Sequence, residues 1–143
     1  MTIAYKTGDL LSVKFGIIAH GCNMHGVMGS GAAKQIKAMY PEAFEMYQAD
    51  LLTGFPLGSV SIWSPQKTGF VELLIANCLT QQDMGSDGKK YVSYDAVDSC
   101  FAALNVIAQK ANMTINIPKI GAGLGGGDWG VIESIINHRC KVA

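Results

Sequence analysis

"HGCNMHGVMGSGAAKQI", His20 to Ile36, places four glycines among its first twelve residues and then passes without a break into a helical pattern. The apolar run "FGIIA" stands directly before it. A strand, a glycine-rich turn and a helix in that order put main-chain N–H groups at a helix N-terminus, where partial positive charge favours an anion. Glycine lets the backbone approach phosphate oxygens and supplies the positive φ angles that a nest of amides requires.

A second segment repeats the arrangement. "GAGLGGGDWG", Gly121 to Gly130, follows the apolar "TINIPKI" and opens the last helical pattern, so that ten of the seventeen glycines fall in the two segments. Two such loops predict a split cradle, each half holding one side of a diphosphate or its neighbouring sugar. Tight turns and close helix packing are the alternative use of the same glycines.

The rest of the chain predicts strands at "GIIAH", "LGSVSIW", "VELLIANCL" and "MTINIPKI". Their nearly unbroken hydrophobicity suits strands covered by helices on both faces. Helices are expected over "GAAKQIKAMYPEAFEMYQAD", broken near Pro41, and over "DAVDSCFAALNVIAQKA", with Val97, Phe101, Leu104 and Ala108 on one stripe. The last, "DWGVIESIINHR", offers Val131, Ile132, Ile135 and Ile136 as its stripe, with Asp128 or a neighbouring glycine as the cap. Alternating strands and helices imply an α/β fold, a three-layer α/β/α sandwich with a mixed, largely parallel sheet. Ligands of such sheets bind beyond the carboxyl ends of the strands, where both glycine segments fall.

At 143 residues the chain is read as one domain, 1–143. Eleven basic residues balance eleven acidic ones, so nothing in the composition points to a basic surface for a nucleic acid backbone, and a nucleic acid partner is not expected. "MTIAYKTGDL" lacks the basic start and apolar core of a signal peptide, and "FVELLIANCL" is too short to span a bilayer. A cytoplasmic protein with no membrane partner is expected. The four cysteines, 22, 78, 100 and 140, form no C-x-x-C pair and are expected as free thiols. His20, Cys22 and His25 lack a second cluster to complete a zinc site, so no metal or other cofactor is assigned. Neither glycine segment has the lysine and hydroxyl of a Walker loop, and "GAGLGG" has no following strand for a dinucleotide fold.

"YKTGDLL", with Gly8-Asp9 after a first strand, then "HGCNMHGVMGSGAAKQI", then "IPKIGAGLGGGDW" together resemble a macrodomain, the ADP-ribose-binding α/β/α module. The segments come in family order and span nearly the whole chain. The likeness is to the compact branch that contains ADP-ribose-1″-phosphate phosphatases and the terminal ADP-ribose protein glycohydrolase. The segment "LTQQDMGSDGKKYVSYDA" is similar to small microbial and phage-type members.

The resemblance implies roles residue by residue. Asp9, beside Leu10, matches the acid that accepts from the adenine amino group, or else it caps a helix. Asn23 matches the asparagine at the distal ribose. Met28, Gly29, Ser30 and Gly31 match the first phosphate loop, and Gly121, Ala122, Gly123, Leu124 and Gly125 the second. Gln81 falls at or near the lysine of the terminal glycohydrolase, and Gly125 where its aspartate would lie, with Asp128 three residues on. A glutamine cannot form a Schiff base or carry a charge, so the lysine-dependent route loses its residue here. His20 matches the histidine of the phosphatase "HxCN" pattern as a general base, or is a buried histidine bonded at a strand end. Cys22 has no nameable base partner, His25 is placed in solvent, and Asp83 or Asp87 is open as a second acid–base group or as part of a turn. Tyr91 and Tyr94 are read as bordering the pocket or packing a helix start. The expected ligand is ADP-ribose or its 1″-phosphate, with ADP-ribosylated protein as a further partner. The expected activity is phosphate removal, with a non-catalytic reader or another de-ADP-ribosylating hydrolase as alternatives.

Overall fold

The structure, a computed structural model, describes residues 3–85, 87–123 and 125–140. In chain order its elements are β1 (Gly16–Cys22), α1 (Gly31–Met39), α2 (Pro41–Leu52), β2 (Val60–Trp63), β3 (Leu73–Leu79), α3 (Tyr94–Ala111), β4 (Ile115–Asn116) and α4 (Trp129–Arg139). The sheet order is β2-β3-β1-β4, with β1 parallel to both β3 and β4 and β2 antiparallel on β3. The sheet is thus mixed and mainly parallel, as expected.

Alternation along β1 divides the core. Ile17 and Ala19 point into a cluster with Phe101 and Leu104 of α3 and Ile132 and Ile136 of α4. Ile18 points the other way, to Ile75 of β3, Ile36 of α1 and Ala43 of α2. Both faces of the strand are therefore dry, and Ile18→Ala is a cavity-forming change of about 2–5 kcal/mol.

Local chemistry sets the element ends. Tyr40 adopts φ −128° and ψ 70°, outside the helical region, because Pro41 disfavours that region for its predecessor; Pro41 then occupies the first turn of α2. Ser93 accepts from the Ala96 amide at 3.1 Å to start α3, and Asn112 ends it in the left-handed region at φ 54°. Asp128 caps α4 by accepting from Gly130 N at 2.8 Å.

Three expectations need correction. No strand forms over residues 3–7; instead the Tyr5 hydroxyl accepts from Trp129 Nε1 at 2.7 Å and donates to Glu133, which straps the segment onto α4. The strand expected over residues 113–120 shrinks to Ile115–Asn116, since Pro118 has no amide for a ladder and Asn116 Nδ2 bonds the Ile17 carbonyl at 3.1 Å. Val131 lies 40% exposed and leaves the α4 stripe to Ile132 and Ile136, with Ile135 partly buried.

Candidate functional site

A cavity of about 520 Å³ opens where β1 and β3 end, between the loop after β1 and the loop before α4. Asn23, Met28, Gly29, Ser30 and Gly31 line it from the first side. Gly121, Gly123 and Gly125 line it from the second, and Gln81 from the loop after β3. Sequence reasoning therefore gathered nine residues that the fold brings together.

The first loop delivers amides. Gly31 sits at φ +60°, a left-handed conformation that a side chain would strain, and a Cβ built there meets no atom within 4 Å. Ser30, the residue before α1, makes no side-chain cap bond. The first-turn N–H groups of Gly31, Ala32 and Ala33 have no intrahelical acceptor, and these three residues line the cavity. An anion is the ligand that such a helix start favours.

The second loop is held more tightly. Gly121 O accepts from Gly127 N at 2.8 Å, and Gly125 O accepts from the amides of Tyr91 and Val92 at 2.7 and 3.0 Å. A Cβ on Gly121 would stand 2.8 Å from Val92, and one on Gly126 would run into the Lys89 carbonyl. Most of these glycines therefore pack the loop onto residues 89–92, while Gly123 faces open space. Both uses of glycine that the sequence left open are present, at different positions.

Asn23 is braced from four sides. Its Oδ1 lies 2.8 Å from His25 N and 2.9 Å from the Tyr47 hydroxyl, and its Nδ2 donates to the Val27 carbonyl at 2.9 Å and reaches Met84 Sδ at 3.2 Å. Gln81 Nε2 donates to the Asp83 carbonyl at 2.8 Å. His25 Nε2 in turn meets Asp83 Oδ1 at 2.8 Å, an exposed pair joining the loops after β1 and β3.

Several assigned residues stand elsewhere. His20 is 1% exposed on the face of β1 toward α2, its Nε2 is 2.6 Å from Asn77 Oδ1, and it is not among the cavity-lining residues. Asp9 is exposed and caps a short 3-10 turn by accepting from Leu11 N at 2.9 Å, while Leu10 packs with the cluster around Ile18. Ala122 turns toward the α3–α4 core, and Leu124 lies outside the described residues. Sequence reasoning missed Lys119, Met84 and the small residues Ala32 and Ala33 of the lining. The cation two residues before the first glycine of "PKIGAG" was the available signal for Lys119.

The Macro domain family model matches residues 19–136, which takes in every element from β1 to α4 except the ends. The chain belongs to the Macro domain family. An uncharacterized 17.5 kDa protein of Enterobacteria phage T4 is 31% identical over 96% of this chain and 89% of its own length. An ADP-ribose 1″-phosphate phosphatase of Lodderomyces elongisporus is 25% identical over 96% of this chain and 92% of the relative. A DNA ADP-ribosyl glycohydrolase of Mycobacterium tuberculosis is 29% identical over 92% of this chain but only 36% of the longer relative. The solved macrodomain of Mycobacterium tuberculosis DarG superposes with a TM-score of 0.79 at 25% identity, covering 96% of this chain and 88% of that one.

Within this Macro domain, electrostatics separates the reactive groups. Burial holds the His20 pKa down to about 4, only partly opposed by its bond to Asn77, so the ring is neutral at physiological pH. Burial also drives the Cys22 thiol well above its ordinary range. The two lie 3.7 Å apart (Sγ to Nε2), but both environments disfavour charge, so no thiolate–imidazolium nucleophile forms. All four cysteines are free and buried.

Proposed function

We propose that this Macro domain binds ADP-ribose with its diphosphate between the two glycine loops, and that it hydrolyses ADP-ribose 1″-phosphate to ADP-ribose and phosphate. The carrying observation is the cavity itself. The uncapped start of α1 supplies amides on one side, and the glycine loop with Lys119 supplies backbone and charge on the other. Phosphomonoester hydrolysis chiefly needs an oriented water and stabilised equatorial charge, and such donors suit that work.

The relatives named ADP-ribose 1″-phosphate phosphatase are matched over nearly their full length, which supports this reaction over the alternative. Removal of ADP-ribose from DNA or protein is the alternative, supported by the partial match to DNA ADP-ribosyl glycohydrolases. Gln81 weighs against a lysine-dependent form of it, because its amide is uncharged and already engaged with the Asp83 carbonyl.

Calorimetry with ADP-ribose, together with phosphate release from ADP-ribose 1″-phosphate, tests both halves. Saturable binding and stoichiometric phosphate are expected. Failure of ADP-ribose to bind at millimolar concentration overturns the whole reading. Binding without phosphate release, or release of ADP-ribose from a modified DNA or protein instead, overturns the phosphatase half.

A further inference from the structure

We propose that Gln81 orients the attacking water, its Oε1 accepting a hydrogen bond from that water at the wall formed by the second glycine loop. The inference rests on the phosphatase reading above and names a residue that performs it.

The backbone places the side chain. Gln81 follows β3 and itself lines the cavity. It forms an antiparallel bridge with Val92, and the Val92 amide donates to the Gly125 carbonyl at 3.0 Å. Main-chain contacts therefore pin Gln81, Val92 and Gly125 to one another. A Cβ built on Gly125 would stand 3.2 Å from Gln81 Oε1, so the amide oxygen lies against a residue that also lines the cavity.

Chemistry fixes which end of the amide stands there. A peptide carbonyl only accepts, so the group that bonds the Asp83 carbonyl at 2.8 Å is the Nε2 amine. Oε1 is left as an acceptor, and among the described residues no donor bonds it. The other polar side chains of the lining are differently employed. Asn23 spends Oδ1 on His25 N and the Tyr47 hydroxyl, and Nδ2 on the Val27 carbonyl and Met84 Sδ. Lys119 only donates. Ser30 stands on the opposite wall, beside the first-turn amides of α1 that favour an anion. Gln81 thus offers a water an acceptor that carries no charge, whereas a carboxylate in its place would repel the incoming phosphate.

In the step, the water oxygen bonds to phosphorus as the bond from phosphorus to the ribose 1″-oxygen breaks. The proton of the phosphate monoanion passes to the departing 1″-oxygen, and both water hydrogens stay on the released dihydrogen phosphate. Gln81 takes no proton, because an amide carbonyl is too weak a base. It sets the direction of the water, and positioning is the main demand of a loose phosphoryl transition state.

The test measures kcat and KM of phosphate release, ADP-ribose Kd and thermal midpoint for wild type, Gln81→Met, Gln81→Glu and Lys67→Ala. Wild-type turnover is also run in water enriched in heavy oxygen. Lys67 pairs with Glu42 at 3.0 Å, an exposed ion pair outside the cavity lining, and serves as the control. Gln81→Met keeps the length of the side chain and removes the acceptor, so kcat should fall by about tenfold to a hundredfold with ADP-ribose Kd within about threefold. Gln81→Glu restores an oxygen acceptor and adds a charge, so its kcat should exceed that of Gln81→Met while its KM rises. The label should enter phosphate, and Lys67→Ala should match wild type. Wild-type kcat in Gln81→Met, or a Gln81→Glu kcat no higher than that of Gln81→Met, overturns the role and leaves the phosphatase reading standing. So does a kcat loss matched by lost ADP-ribose affinity, which would assign Oε1 to a ligand hydroxyl, or phosphate released without label. A wild type that binds ADP-ribose yet releases no phosphate overturns both.

Discussion

The Tyr47 hydroxyl lies 2.8 Å from the main-chain carbonyl of Asn23 and 2.9 Å from its Oδ1, so a fully buried residue of α2 sets the asparagine that lines the cavity. The same oxygen accepts from Gly26 N at 3.1 Å, which ties both halves of the first loop to one anchor. Burial, reinforced by the nearby Cys22, pushes the Tyr47 pKa well above its ordinary value, so the hydroxyl remains a donor. Tyr47→Phe keeps the ring and removes these bonds. Stability should fall by about 1–3 kcal/mol in urea denaturation, since an Asn23 oxygen and the Gly26 amide lose a buried partner. ADP-ribose affinity should fall with it, because Asn23 and the amides beyond it lose their register. Unchanged affinity in calorimetry would mean that the loop holds its shape without the tyrosine.

His20 makes a prediction about pH and stability. Its pKa is about 4 in the folded chain against an ordinary value of 6.5, so the unfolded chain binds more protons between these limits. The contribution of the neutral ring is fully present above pH 6.5 and is lost as pH falls toward 4. Its full size is about 3 kcal/mol. Denaturation midpoints measured across that window should decline for wild type and flatten in His20→Gln. A variant with the wild-type slope would assign the acid sensitivity to other groups.

The second glycine loop can be probed where the structure is least forgiving. Gly126 has φ +72°, and a Cβ there would strike the Lys89 carbonyl, a backbone atom that cannot swing aside as a side chain can. Gly126→Ala should cost at least about 1–2 kcal/mol from the left-handed backbone alone, with steric displacement added. Thermal unfolding should show the loss, and ADP-ribose binding should weaken because Gly125, next in the chain, lines the cavity. A stable variant with full affinity would show that the loop adjusts freely.

The contrast between the two loops explains what was legible in the sequence. Clustered glycines between an apolar run and a helical pattern mark loops at the carboxyl ends of strands, so both walls of the cavity were legible locally, while the division of those glycines between ligand-facing and packing positions was not. The break at Tyr40–Pro41 and the Val97–Ala108 stripe follow from equally local rules. His20 was harder. The motif matched a general base, with a buried histidine bonded at a strand end as the alternative; strand alternation sends residues 18, 20 and 22 toward α1 and α2, and Asn77 of β3 supplies the partner that makes burial tolerable. Tyr47 and Asp83 are 24 and 58 residues from Asn23 and His25, their respective partners. No local pattern announces contacts at such separations. The missing first strand has a similar cause, because the Tyr5–Trp129 bond competes with any sheet ladder and joins residues 124 positions apart.

Lys119 supplies the last prediction. Among the described residues it is the one cationic side chain that lines the cavity, placed two residues before Gly121 on the wall opposite the start of α1. An anion held there gains Coulomb attraction that added salt weakens, whereas backbone amides act at contact distance and are screened less. Lys119→Gln should lower ADP-ribose affinity by about threefold to tenfold at low ionic strength, and the gap should narrow as salt rises. Because the side chain is exposed, thermal stability should stay near that of wild type. Calorimetry at two ionic strengths decides the matter. An affinity gap that persists at high salt would mean the lysine shapes the wall rather than attracting the ligand. No gap at either salt would leave recognition of the diphosphate to the amides and helix dipole alone.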